Sequence, residues 1–105
     1  MGVDIRVMSA DPALTLPHRL REAGFVVELR SEQRPDVVVT FATCRRGRDT
    51  QRLGWSSIPD QSGVYHVGIG NAWAWRRTVL ERRRRLQDDV TSIIEKCGGQ
   101  PLFQE

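Results

Sequence analysis

Apolar side chains recur every three or four positions between Asn71 and Cys97: Val79/Leu80, Leu86, Val90, Ile93/Ile94 and Cys97. That spacing predicts a long amphipathic helix. Asn71 stands where an N-cap belongs and Gly98-Gly99 where a left-handed C-cap belongs. A shorter helix is predicted after Asp11-Pro12, with Leu14, Leu16, Leu20 and Ala23 on its buried side and Gly24 as its stop. Runs rich in β-branched residues predict four strands: Ile5 to Met8, Phe25 to Leu29, Asp36 to Phe41 and Val64 to Ile69. In the last of these, Tyr65, Val67 and Ile69 alternate with Val64, His66 and Gly68.

Strand, short helix and strand in succession predict a right-handed βαβ unit with two parallel strands. The connector from Arg30 to Pro35 spans roughly 20 Å when extended, enough for a parallel return, although a hairpin is the easier geometry. The continuous apolar run Val37-Val38-Val39 argues for a strand buried on both faces, as in a parallel sheet. Ala42 to Gly63, rich in Arg, Gly, Ser and Asp, reads as a long loop with a helical turn around Arg45 to Arg52. The expected architecture is α/β: a two- or three-layer domain over residues 1–105, with a four-stranded, largely parallel sheet in the order β-α-β-β-loop-β-α. Pro101-Leu102-Phe103 is a candidate edge strand.

Composition narrows the picture modestly. The chain has 105 residues, a formal charge of +3 and 16 basic residues, of which only Lys96 is lysine, so 15 are arginine. Planar guanidinium groups suit phosphate and carboxylate recognition; a genome that writes arginine at basic surface positions gives the same count. Cys44 and Cys97 have no zinc-ligand spacing, and neither a metal nor a cofactor is expected. The sequence shows no secretory leader and no membrane-length apolar run, so a soluble, cytoplasmic protein is expected.

The segment from Ile5 to Leu14, the helix exit from Leu20 to Val27 and the strand Arg34 to Val39 resemble the first forty-odd residues of response-regulator receiver domains. In that family an acidic pair follows the first strand, a phosphorylated Asp ends the third and a Lys ends the fifth. Here Asp11 matches one member of the pair, Thr40-Phe41 stands where the phosphoacceptor would be, and no Lys corresponds. The resemblance implies a flavodoxin-like scaffold without phosphotransfer chemistry, used for partner or ligand binding.

In a parallel sheet, Asp11, Thr40, Thr43, Cys44, Gly68, Gly70 and Asn71 gather at the carboxyl ends of the strands, where such sheets bind ligands. Gly68-x-Gly70 opening a helix lets backbone approach an anion, although the third Gly of a dinucleotide fingerprint is Trp73 here. Trp73, Trp75, Arg76 and Arg77 at the helix start, with Arg45, Arg46, Arg48 and Arg52 in the loop, form an aromatic and arginine set suited to nucleic acid or a phosphorylated ligand. Cys44 beside Arg45-Arg46 is expected to have a lowered pKa, and His66 is a candidate base. Arg82 to Arg85 spread round the helix, where Glu81, Asp88 and Asp89 offer intrahelical ion pairs. Val79, Leu86, Val90 and Ile93 present a face suited to pairing with another helix. The leading expectation is a non-enzymatic interaction module that binds a protein partner or a second copy through the long helix. The second is binding of nucleic acid or a phosphorylated ligand, and the third a small enzyme using Cys44 or His66.

Overall fold

The computed structural model describes residues 4–8, 11–58, 61–70 and 74–101. The elements run β1 (Asp4–Met8), α1 (Pro12–Glu22), β2 (Val26–Gln33), β3 (Val38–Arg46), β4 (Asp49–Ile58), β5 (Gln61–Ile69), α2 (Arg77–Lys96) and β6 (Gly99–Pro101). They form one six-stranded sheet in the order β2-β3-β4-β5-β1-β6, in which all five pairings are antiparallel. This overturns the expected four-stranded, largely parallel sheet. The alternating pairings do make β1 and β2 run in the same direction, as a βαβ unit requires. Three strands separate them, however, because the β3-β4-β5 meander fills the gap that α1 spans.

Two turns account for the difference. Arg34 donates its N–H to the Val37 carbonyl at 2.9 Å and closes a hairpin between β2 and β3, the easier solution for so short a connector. Arg46 pairs with Asp49, leaving the two-residue loop Gly47-Arg48. Gly47 has φ +63°, while no non-glycine residue has positive φ among the described residues. A positive φ confined to the first loop residue is the pattern of the type II′ turns that match strand twist. The expected loop from Ala42 to Gly63 is therefore mostly the end of β3, the whole of β4 and the start of β5.

Both helices pack on one face of the sheet. Leu16 and Leu20 from α1 and Leu86, Val90 and Ile94 from α2 meet Val27, Ala42, Cys44, Leu53, Trp55, Val67 and Ile69 in one buried cluster. Each fully buried Leu, Val or Ile contributes roughly 1.5–3 kcal/mol, so this layer dominates the stability. Leu14, expected on the buried side of α1, is 79% exposed. Asp11 caps α1 by accepting the Ala13 N–H at 3.0 Å, and Pro12 follows within the first turn. The long helix begins at Arg77 rather than Asn71, with Arg76 as an N-cap whose side chain makes no capping hydrogen bond. Asn71 and Trp73 lie outside the described residues. Gly98 stands just past the helix end, where the sequence places it, and β6 takes up Pro101 of the expected edge strand.

Polar contacts fasten α2 to the β3–β4 hairpin. Arg82 Nε donates to Asp49 Oδ2 at 2.7 Å, and Arg46 pairs with Asp89 while its guanidinium lies 4.9 Å from the centroid of the Phe25 ring. Arg82 and Asp89 thus reach across to the hairpin, where the sequence reading has them in intrahelical pairs.

Candidate binding face

Among the described residues, the second face of the sheet carries no helix. Because paired residues in adjacent strands point the same way, the register writes this face out in rows. One row is Arg30, Phe41, Gly54 and Gly68; a second is Glu32, Val39, Ser56 and His66; a third begins Glu28, Thr43 and Arg52. Gly70 donates its N–H to the Arg52 carbonyl at 3.0 Å and extends the third row. All of these residues except Glu32 line an open hollow of about 920 Å³.

The glycines make the hollow. A side chain at Gly54 would begin 3.3 Å from Phe41 Cδ1 and 3.4 Å from the Thr40 carbonyl oxygen, so the Phe41 ring occupies the space a Cβ would need. Gly68, opposite Gly54, leaves the neighbouring floor bare. Gln51, buried on the helix side, donates from Nε2 to the carbonyls of Arg52 and Gly70 at 2.9 Å each. Those two bonds fix the end of β5 against β4 and hold the glycine pair in place.

Charge collects around the apolar centre. Arg30 lies 5.2 Å from the Phe41 ring centroid and 3.4 Å from Glu32, and Arg45 pairs with Glu28 at 2.8 Å. Arg52 has no ion pair among the described residues and is exposed. The two glutamates offset two of the arginines and leave Arg52 as the local positive excess.

The candidate residues from the sequence divide between the two faces. Arg45, Arg52, Gly68 and Gly70 come together on the open face. Arg46 points to the helix side and is held by Asp89, Arg48 sits in the hairpin turn, and Asp11 serves as a cap. Arg77 pairs with Glu81 within α2 at 3.5 Å, and Arg76 is exposed before it. Of the expected partner face, Leu86 and Val90 are buried against the chain's own sheet, Ile93 packs beside them and Val79 is half-buried. The apolar seam of the helix is therefore consumed inside the fold.

A Cys44–His66 pair loses its geometry. Cys44 is fully buried on the helix side, and burial pushes its thiol up to about 11, the reverse of the lowered value expected from Arg45 and Arg46. The thiol stays protonated near neutral pH. His66 lies on the opposite face, so the two cannot form a nucleophile and base pair. Among the described residues no group of three His, Cys, Asp or Glu side chains is placed to hold a metal, and no helix is long and apolar enough to cross a membrane.

Phe41, Gly54 and Arg30 belong to the hollow and were absent from the sequence-derived site. Their signal was the alternation of Gln51, Leu53 and Trp55 with Arg52, Gly54 and Ser56, which marks β4 as a strand with one open face. Compared with known proteins, the chain matches no family model, no curated protein and no solved structure.

Proposed function

We propose that the chain is a non-catalytic binding module that takes single-stranded nucleic acid on its open sheet face. The observation that carries this reading is the row Arg30, Phe41, Gly54 and Gly68: a half-buried aromatic ring beside a glycine floor, with the exposed Arg52 of the next row making no ion pair among the described residues. A base stacks on a planar ring irrespective of its identity, and bare backbone lets it approach closely. Arginines flanking such a ring hold phosphates on either side of the stacked base. The hollow is open and runs across β2 to β5, a shape suited to a strand lying over it.

Binding of a fluorescent single-stranded oligonucleotide, measured across a salt series, tests this. With Arg30, Arg45 and Arg52 on phosphates, log affinity should fall against log salt with a slope of about −2. Arg52→Ala should reduce that slope by about 0.7. Phe41→Ala should weaken binding by about 1–3 kcal/mol at unchanged slope, with Phe41→Leu as a variant that keeps the bulk and loses the ring. Tight binding of a mononucleotide with no gain from a longer strand would redirect the reading to a phosphorylated small ligand. No binding at low salt would refute both.

A further inference from the structure

The β2 edge of the sheet has the pattern of an interface. β2 is eight residues long and, among the described residues, pairs with β3 alone. Because Arg34 N–H is directed to Val37, alternation turns the N–H and C=O groups of Val27, Leu29, Ser31 and Gln33 outward from the sheet. On that outer row Arg21 Nη2 donates to the Val27 carbonyl at 3.4 Å. Val26 is 57% exposed and Leu29 46% exposed, unusual values for large apolar residues in a strand.

We infer that this edge is where a second copy of the chain adds, antiparallel to the first, with a two-fold axis at Leu29. In that register Leu29 meets Leu29 of the second copy and Val27 meets Ser31. Each outward-facing pair exchanges two main-chain hydrogen bonds, for about six in all. On the open face Glu28 lies opposite Arg30 of the second copy, and the two-fold repeats that pair. The alternation of Glu28, Arg30 and Glu32 selects among alignments. An axis at Arg30 sets Arg30 against itself and Glu28 against Glu32. An axis at Ser31 restores opposite charges but places Leu29 against Gln33. The axis at Leu29 satisfies both the charges and the exposed leucine.

Glu28, Leu29 and Arg30 also line the hollow, so this pairing sets two hollows side by side on one continuous sheet. The contact is small beside a standard interface, and a dissociation constant on the order of 10–100 μM fits it.

Sedimentation velocity on the full chain, from about 10 μM to about 1 mM, reads the result. The wild type should pass from monomer to dimer. Leu29→Asp should remain a monomer, as should Glu28→Arg and Arg30→Glu singly, each of which sets like charges against each other twice. The double variant Glu28→Arg/Arg30→Glu restores the complementarity and should dimerise again. Circular dichroism verifies that each variant is folded. Register is read by cysteine cross-linking in a Cys97→Ser background under mild oxidation. Hydrogen-bonded antiparallel partners lie about 5.5 Å apart, within disulfide range, so Leu29→Cys should cross-link and Ser31→Cys should not. A wild type that stays monomeric at about 1 mM would overturn the inference, as would a dimer indifferent to Leu29→Asp.

Discussion

Removing Arg82 isolates the contact that fastens α2 to the β3–β4 hairpin. Asp49 is almost enclosed, with its side chain 9% exposed, and Arg82 Nε donates to one carboxylate oxygen at 2.7 Å. The other oxygen, Oδ1, is buried and has no hydrogen-bond partner among the described residues. In Arg82→Ala the carboxylate therefore keeps its burial and loses its counter-ion. Breaking a fully buried pair costs about 3–5 kcal/mol. Arg82 itself is half exposed, so water can enter the vacated space and solvate Asp49, which lowers the expected cost to about 1–3 kcal/mol. For a domain of this size that corresponds to a fall in Tm of about 5–20 °C. Urea unfolding followed by circular dichroism measures it, with Arg84→Ala as an exposed control expected to stay within about 0.5 kcal/mol of wild type. Adding Asp49→Asn to Arg82→Ala should recover part of the loss, because the buried charge is then gone. An Arg82→Ala protein as stable as the control would refute the assignment of Asp49 as a carboxylate dependent on that guanidinium.

Four further outcomes follow from the same geometry. A thiol reagent at neutral pH should modify half-buried Cys97 in the native protein and reach Cys44 only on unfolding. Burial favours the neutral Cys44 thiol, so its contribution is present below pH 9 and lost as pH rises toward 11; alkaline unfolding should show about 2–3 kcal/mol of loss over that range, absent in Cys44→Ala. Gln51→Ala removes the donor to two main-chain carbonyls and should cost about 1–3 kcal/mol in urea unfolding, loosening the end of β5 as read by amide exchange at Gly70. Gly54→Val forces Phe41 from its position and should lower stability by about 1–2 kcal/mol while reducing oligonucleotide affinity at least about tenfold.

What the sequence made legible was local. Asp11-Pro12 named the start of α1, Leu86, Val90 and Ile94 named the buried stripe of α2, and Val67 and Ile69 fell on one side of β5 as their spacing requires. The errors arose where local pattern gives no direction. Val38 and Val39 read as a doubly buried run, yet Val38 is 48% exposed near the β2–β3 turn, and a run of three valines carries no information on whether its neighbours are parallel. The Arg, Gly, Ser and Asp content of residues 42–63 suggested a loop; Arg45, Arg52, Gly54 and Ser56 are instead the open side of a hairpin whose other side holds Cys44, Leu53 and Trp55. The amphipathic stripe of α2 likewise cannot distinguish a partner helix from the chain's own sheet. The site was half legible: Gly68, Gly70 and Arg52 were named, but Phe41 and Gly54 become neighbours only through the antiparallel register.

The central claim is that the helix-free face of the sheet is the binding face, and amide chemical-shift mapping tests it most directly. Titration of the labelled protein with a short single-stranded oligonucleotide should move the resonances of Val39, Phe41, Thr43, Arg52, Gly54 and Gly68 together in one saturable process. Resonances of α1 and of the α2 segment around Leu86 and Val90 should stay in place. Shifts confined to the helices or the Gly47-Arg48 turn, or no shifts at low salt, would contradict the account.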